Sequence, residues 1–164
     1  MEQLEFFRIK DEDLVLVKDV YDYYVLNSTA TFHTEPVTLD ELREFIPLKD
    51  ERYQSFLIFY KHQYAGYCYF GHYKKRQAYN RTSEITLYLK PEFSQKRIGT
   101  QTLQFLEKVA IENNFKNLLG IISGDNEGSI ALFRKCGYVQ CAHFKNMGEK
   151  FGKLLDIVAY QKEI

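Results

Sequence analysis

The chain has 164 residues, no net formal charge and an apolar content of 45%, with Tyr and Phe as its only aromatic residues. This suits one domain, residues 1–164, with a sizeable core, and the lack of a basic excess argues against a nucleic-acid partner. No apolar run approaches the ~20 residues of a membrane-spanning helix, and the N-terminal segment has no basic leader. We therefore expect a soluble, cytoplasmic protein whose partner is neither nucleic acid nor membrane.

Apolar periodicity divides the chain into strands and helices that follow one another without a linker or repeat. Asp11 is predicted to cap the first long helix, and Thr38 with Glu41 forms a capping box before a short second helix. Antiparallel strand pairs come first and a strand-helix-strand unit follows, so the predicted fold class is α+β around one sheet. The predicted strands cover residues 4–9, 55–60, 66–73, 83–90, 117–123, 139–145 and 154–161, with turns at 62–64 and 147–153, and the predicted helices cover residues 11–26, 38–47, a segment after residue 100, and 126–136.

The most informative segment begins with the strand at residues 83–90, which runs through a glycine-bearing turn at 91–100 into an amphipathic helix. Backbone N–H groups at the start of a helix lack intrahelical partners and lie at the positive end of the helix dipole. The segment therefore predicts an anion site for the phosphate or pyrophosphate of a nucleotide-like cofactor. The helical spacing rests on Leu103, Leu106, Val109, Ala110 and Ile111.

Together with this strand-turn-helix, three other segments resemble the GNAT acetyltransferases, and within them the phosphinothricin N-acetyltransferase-like branch. They are residues 23–36 (YYVLNSTATFHTEP), 74–84 (KKRQAYNRTSE) and 148–156 (GEKFGKLLD). The resemblance implies the GNAT fold, a twisted, mostly antiparallel sheet of about seven strands with one parallel, splayed pair and about four flanking helices. It also implies transfer of an acetyl group from acetyl-CoA to the α-amino group of a small amino acid or an analogue such as phosphinothricin or methionine sulfoximine.

Two departures from the family pattern keep other functions open. The family's acetyl-CoA loop has Gln or Arg, two residues, Gly, one residue and Gly, whereas this chain has Ser94, Arg97 and Gly99 at those three positions. Arg97 either obstructs the approach of a pyrophosphate or adds a charged contact to it. Phe133 stands where many members have a tyrosine that protonates the departing thiolate. The alternatives are an acetyltransferase for a peptide or protein amino group and a non-catalytic acyl-CoA-binding sensor.

Glu84 is the candidate general base. Alternation along its strand places Glu84, Thr86 and Tyr88 on one face, a pattern that by itself is more typical of a solvated glutamate. The resemblance puts the family's catalytic glutamate at this position. About one-tenth of an α-amino group with a pKa near 8 is already neutral at pH 7, so a single carboxylate can serve as the base.

The resemblance also implies the residues that hold acetyl-CoA. Backbone groups of the splayed strand are expected to polarise the thioester carbonyl and pair with the pantetheine arm, while N–H groups of the turn hold the pyrophosphate. Residues at the start of the next helix are expected to bond the pantetheine amides, although plain helix capping explains them equally. The implied cofactor-binding residues are Leu87, Tyr88, Leu89, Gln95, Lys96, Arg97, Ile98, Gly99, Thr100, Asn126 and Ser129.

Candidates for acceptor binding lie in two loops. A free amino acid brings a carboxylate, so cations close to Glu84 in sequence are natural candidates, while a solvated loop charge is the plain alternative for each. The loop before Pro36 could close the pocket from the helix side, or could simply be structural. The acceptor-binding candidates are Lys74, Arg76, Tyr79 and Thr82 in the first loop, and Thr31 and Phe32 in the second.

The remaining expectations concern metals and assembly. The four histidines show no ligand spacing, and the three cysteines are odd in number without metal spacing, so no metal is expected. The resemblance implies a homodimer, with the hairpin around residues 150–152 contributing to its surface.

Overall fold

The computed structural model describes residues 3–164, which form one seven-stranded sheet with helices on both faces. None of these helices combines the length and apolarity needed to cross a membrane. The predicted α+β GNAT fold is confirmed. The strands are β1 (Leu4–Arg8), β2 (Ser55–Tyr60), β3 (Gln63–His72), β4 (Thr82–Leu89), β5 (Asn117–Ser123), β6 (Val139–Lys150) and β7 (Lys153–Glu163), and the helices are α1 (Leu14–Asn27), α2 (Leu39–Phe45), α3 (Ile98–Glu112) and α4 (Glu127–Lys135).

The sheet has the strand order β1-β2-β3-β4-β5-β7-β6, and among the described residues only β4 and β5 pair in parallel. Their connection runs through α3, as a parallel crossover requires. The two strands at the centre of the sheet are therefore the pair whose ends point the same way.

Two hydrophobic cores cover the two faces of the sheet. One face packs against α3 and α4, with Leu103, Leu106 and Ala110 fully buried. The other packs against α1 and α2, with Val17 and Leu42 fully buried. Each helix presents its apolar stripe to the sheet, which fixes the helix ends relative to the strands between them.

Capping residues set where the two short helices begin. The hydroxyl of Thr38 accepts a hydrogen bond from the N–H of Glu41, and the Glu41 carboxylate accepts one from the N–H of Thr38, which is the predicted capping box. Asn126 caps α4 by accepting from the N–H of Ser129 at 3.1 Å. The first helix differs from its prediction, since Asp11–Asp13 form a separate 3₁₀ turn and α1 begins at Leu14.

Two turns lie elsewhere than the sequence predicts. The β2–β3 turn falls at Lys61 and His62, both with positive φ, so β3 begins before residue 66. The predicted turn at 147–153 is wrong, because β6 continues to Lys150 through an irregularity between Phe144 and Gly148. The actual turn is Phe151–Gly152, again with positive φ at both residues. Two consecutive residues with positive φ match the right-handed twist of a hairpin. Lys, His and Phe are not typical of that conformation, so the sequence did not indicate these turns.

Candidate active site

Strands β4 and β5 separate after a short paired stretch. Residues Thr82–Glu84 of β4 pair with Asn117–Leu119 of β5. Beyond these three pairs, the two strands do not pair with each other in the described part of the chain. A cavity of about 1150 Å³ opens where the strands part. Its lining comes from both faces of the sheet, so the cavity passes through the sheet rather than lying on it.

Backbone groups of β4 face this gap. The N–H of Lys90 donates to the carbonyl of Ala65 on β3 at 2.8 Å. Because alternate residues of a strand direct their backbone polar groups to opposite sides, those of Leu87 and Leu89 point towards β5, where the pairing has ended. The carbonyl of Leu89 already accepts the Tyr24 hydroxyl. The N–H of Leu87 is thus a donor placed inside the cavity wall.

Two helix N-termini meet at one end of the cavity. The first residues of α3, including Gly99 and Thr100, line it together with Asn126 and Ser129 at the start of α4. A Cβ on Gly99 would lie 2.9 Å from Leu132 Cδ2, so glycine allows the helix starts to approach closely. Two positive dipole ends with unpaired N–H groups suit a pyrophosphate, and the cleft beyond suits an extended arm.

The turn before α3 is held in an unusual backbone conformation. Gln95 has φ +62° and Arg97 has φ +58°, the left-handed region that costs a residue with a side chain roughly 1–2 kcal/mol. Both side chains line the cavity. Lys96 turns away, with its amine 5.7 Å from the ring centre of Phe93, and Ile98 is buried in the core beneath. Arg97 is therefore the cation of this turn that faces the cavity.

Glu84 lies where the strands begin to part. It is half-buried, opposite Gly71 on β3 and Leu119 on β5, and it lines the cavity. It forms no ion pair among the described residues, and burial raises the pKa of its carboxyl to about 7. A carboxyl that is about half ionised at pH 7 is well matched to accept a proton from an amine.

Tyrosine side chains form the wall on the α1 and α2 face. The hydroxyl of Tyr21 lies 2.7 Å from Thr31 Oγ1 and also contacts His33, and the hydroxyl of Tyr88 donates to the carbonyl of Ala30 at 3.3 Å. Burial raises the pKa of Tyr21 above its usual value. These hydroxyls are neutral at pH 7 and tie the wall to the segment that follows α1.

Lys150 fixes that segment, and sequence reasoning missed it. The residue is only 3% exposed, and its ammonium donates to the carbonyls of Ser28 at 2.6 Å, Thr31 at 2.9 Å and Tyr24 at 3.5 Å. A cation at the negative end of α1 is favoured by the helix dipole. Burial lowers the pKa of Lys150, although three carbonyl acceptors require the protonated form.

Asp125, also missed, joins the same segment to the turn after β5. Its carboxylate accepts hydrogen bonds from Thr29 at 2.8 Å, from Ser123 at 2.6 Å and from Lys153 at 3.1 Å. Thr29 and Asp125 both line the cavity, so this link crosses its mouth. The sequence signals neither of these roles, because Thr29 lies 96 residues before Asp125 and the acceptors of Lys150 lie 119 to 126 residues before it.

The structure places most of the predicted cofactor-binding residues, but none of the predicted acceptor-binding residues, in the lining of the cavity. Of the former, all except Lys96 and Ile98 line the cavity with Glu84. None of the six acceptor-binding candidates does. Thr31 is buried, Phe32 packs on Gly148, Lys74 and Arg76 lie over the ring of Tyr79, and Thr82 accepts a hydrogen bond from Asn117 at 3.3 Å.

Phe133 occupies the position where many GNAT enzymes have an acid. Its ring is 5% exposed, packs edge-on against Tyr138 and fills the space above Gly120, where a Cβ would lie 2.4 Å from the ring. The ring edge lines the cavity but offers no proton.

Comparison with known proteins agrees with this geometry. The family model described as an acetyltransferase (GNAT) domain matches residues 8–159. The chain is 28% identical over 151 residues to the phosphinothricin N-acetyltransferase of Streptomyces viridochromogenes, covering 92% of this chain and 82% of that protein. It is 25% identical to the L-methionine sulfoximine/L-methionine sulfone acetyltransferase of Pseudomonas aeruginosa, covering 91% of this chain and 88% of the relative.

A solved structure extends the similarity to three dimensions. The GNAT superfamily phosphinothricin acetyltransferase of Sinorhizobium meliloti, crystallised in complex with AcCoA, superposes with a TM-score of 0.88 at 26% identity, covering 98% of this chain and 88% of that one. The chain belongs to the GNAT acetyltransferase family. The predicted enzyme class, an N-acetyltransferase, and the predicted co-substrate, acetyl-CoA, are confirmed at this level. The individual site residues stay predictions.

Proposed function

We propose that the protein transfers an acetyl group from acetyl-CoA to the α-amino group of a small amino acid or an analogue of the phosphinothricin or methionine sulfoximine type. The observation that carries the proposal is Glu84, whose carboxyl has a pKa of about 7 and lies in the cavity that passes through the sheet. The names of the relatives favour the same acceptor class.

Acetyl-CoA supplies a thioester, and in the reaction a C–N bond forms as the C–S bond breaks and the electron pair leaves with sulfur. The ionised Glu84 takes one proton from the ammonium group of the acceptor, which frees the nitrogen lone pair. The proton lost as the amide forms neutralises the thiolate through water. The N–H of Leu87 stabilises the negative charge that develops on the carbonyl oxygen.

The chain binds its co-substrate mainly through groups that do not depend on side-chain identity. The N–H groups at the start of α3 hold the pyrophosphate, and the guanidinium of Arg97 adds a charged contact. Asn126 uses its oxygen to cap α4, which leaves its amide N–H₂ for the pantetheine. With Phe133 at the acid position, the thiolate leaves without a proton from that residue, which lowers the rate rather than abolishing it.

Thiol release measured with DTNB tests the proposal. The panel contains the twenty proteinogenic amino acids, phosphinothricin, methionine sulfoximine and a set of short peptides with free N-termini. We expect turnover with a subset of the free amino acids or the two analogues. Turnover confined to peptides would favour the alternative, an acetyltransferase for peptide or protein amino groups.

We also propose a cytoplasmic homodimer. The thiols of Cys68, Cys136 and Cys141 are unpaired, which suits a reducing compartment. The hairpin of β6 and β7 exposes Phe144 and other apolar side chains on the edge strand of the sheet and Phe151 in the turn, and such edges invite pairing with a second copy. Light scattering that gives the mass of one chain would contradict the dimer.

A further inference from the structure

A second cavity, of about 770 Å³, adjoins the first on the α1 and α2 face of the sheet. The two cavities share four lining residues, Phe45, Tyr69, Glu84 and Thr86. Glu84 therefore lies in the wall between a cavity that reaches the two helix N-termini and one that does not. The second cavity offers a route by which an amine reaches Glu84 without crossing the space for the co-substrate.

Three of the seven Asp, Glu, Lys and Arg residues that line the second cavity already have partners within the protein. The guanidinium of Arg43 donates to both carboxylate oxygens of Asp11, at 2.7 and 3.0 Å, and to Asp40 at 2.7 Å. Asp50 accepts backbone N–H groups of the loop that follows it. A ligand therefore cannot recruit these groups without breaking contacts within the protein.

Lys75 is the uncommitted cation of the lining. It forms no ion pair or hydrogen bond in the described part of the chain, whereas Lys49 joins Arg43 in lowering the pKa of Asp11. The remaining acids there are Glu44 and Glu84. A cavity with a carboxylate base in its wall and a free cation in its lining matches a zwitterion, whose ammonium and carboxylate groups need opposite partners.

The neighbouring lysine faces elsewhere. The amine of Lys74 lies 5.4 Å from the ring centre of Tyr73 and 6.0 Å from that of Tyr79. Lys74 lines neither cavity. The two adjacent lysines thus offer the same charge at nearly the same place in the sequence, with only one of them facing the space next to Glu84.

We propose that the acceptor occupies the second cavity, with its α-amino group at Glu84 and its carboxylate held by Lys75. This proposal rests on the proposed function and adds the residue that binds the carboxylate of the acceptor. Lys75, rather than Lys74 or Arg76, then distinguishes free amino acids from amines without a carboxylate.

The test compares Lys75→Ala with Lys74→Ala, using the best amino-acid acceptor of the wild-type panel and the α-carboxamide of the same compound. In Lys75→Ala we expect the KM for the free acid to rise about tenfold, because a charge-assisted contact is lost. The KM for the carboxamide and the KM for acetyl-CoA should change less than twofold. In Lys74→Ala the KM for the free acid should rise less than it does in Lys75→Ala.

The outcomes separate this inference from the proposed function. An equal rise for acid and carboxamide in Lys75→Ala, no rise at all, or a larger rise in Lys74→Ala would overturn the role of Lys75 while wild-type turnover upholds the proposed function. Failure of the wild-type enzyme to acetylate any free amino acid or analogue would overturn the proposed function and the inference together.

Discussion

The carboxyl of Glu84 is held in a state that suits catalysis but costs stability. Burial raises its pKa from 4.5 to about 7, so the folded protein binds a proton more tightly than the unfolded chain does. Between these two values the stability of the wild-type protein falls as the pH rises, because the ionised form must remain half-buried. Above pH 7 the full penalty is present.

Replacing this group should therefore stabilise the fold. Glutamine resembles the protonated carboxyl in shape, so we expect Glu84→Gln to be more stable than wild type at pH 8, by as much as about 3 kcal/mol. Urea denaturation at pH 8 and at pH 4 measures the difference, which should vanish at pH 4 because the wild-type carboxyl is then protonated in both states. Equal stability at pH 8 would mean that burial does not perturb Glu84.

Arg97 is a second residue whose role in the site has a cost in stability, because its backbone adopts a left-handed conformation. Glycine adopts its left-handed conformation without cost, so Arg97→Gly should leave the free energy of unfolding within about 1 kcal/mol of wild type. We expect acetyl-CoA to bind roughly tenfold more weakly, since the variant loses the cation of this turn that faces the cavity.

Lys96→Ala is the matched control for this change, because the Lys96 amine lies over aromatic rings instead of facing the cavity. Calorimetry should give it the wild-type affinity. Tighter binding by Arg97→Gly would show that the arginine obstructs the co-substrate, and unchanged binding would show that its side chain points into solvent.

At the scale of elements, the segment between α1 and α2 depends on a lysine from β6. Lys150→Met removes the donor to three carbonyls, including the partly buried carbonyl of Ser28 and the buried carbonyl of Thr31. We expect a loss of about 2–4 kcal/mol in the free energy of unfolding, together with a raised KM for both substrates, because Ser28, Thr29 and Ala30 line the cavity.

Lys153→Met is the control, from the same hairpin. Lys153 also forms a charged contact, with Asp125 at 3.1 Å, but its side chain is mostly exposed, so its loss should cost less than about 1 kcal/mol. Similar losses in the two variants would contradict the special role of the buried lysine.

Local chemistry explains which elements the sequence predicts well. Strands β2 and β5 match their predictions at both ends, and the Thr38 capping box appears as predicted, because apolar runs and caps are determined within a few residues. The turns at Lys61 and Phe151 were misplaced because residues with side chains occupy positive φ there. Only the pairing of the whole strands imposes that conformation.

Residues of the candidate site also differ in whether nearby sequence or distant contacts determine their role. The proposed base Glu84 could be singled out from the resemblance around residue 84, whereas strand alternation alone is more typical of a solvated glutamate. Lys150 could not, because its acceptors lie 119 to 126 residues earlier in the chain. The direction in which Lys74 and Lys75 face is likewise set by the rings and helices around them rather than by the run of basic residues.

At the scale of the whole molecule, the splayed pair at the centre of the sheet is what lets two substrates meet. Helices α3 and α4 bring their N-termini to one side of the gap, and α1 and α2 form the walls on the other. Rigid cores on both faces hold this passage open. In the proposed mechanism an amine and a thioester approach from the two sides, and Glu84 takes the proton from the amine.

The proposed role of Glu84 is tested by the pH dependence of kcat/KM for wild type and Glu84→Gln, measured with the best acceptor of the panel. The wild-type value should rise with pH through a step near 7, as Glu84 ionises, and rise further as the amine loses its own proton. In Glu84→Gln the step near 7 should disappear and turnover at pH 7 should fall by about 10²–10⁴-fold, with partial recovery at high pH and unchanged affinity for acetyl-CoA. If Glu84→Gln kept the wild-type pH profile and full turnover at pH 7, Glu84 would not be the base.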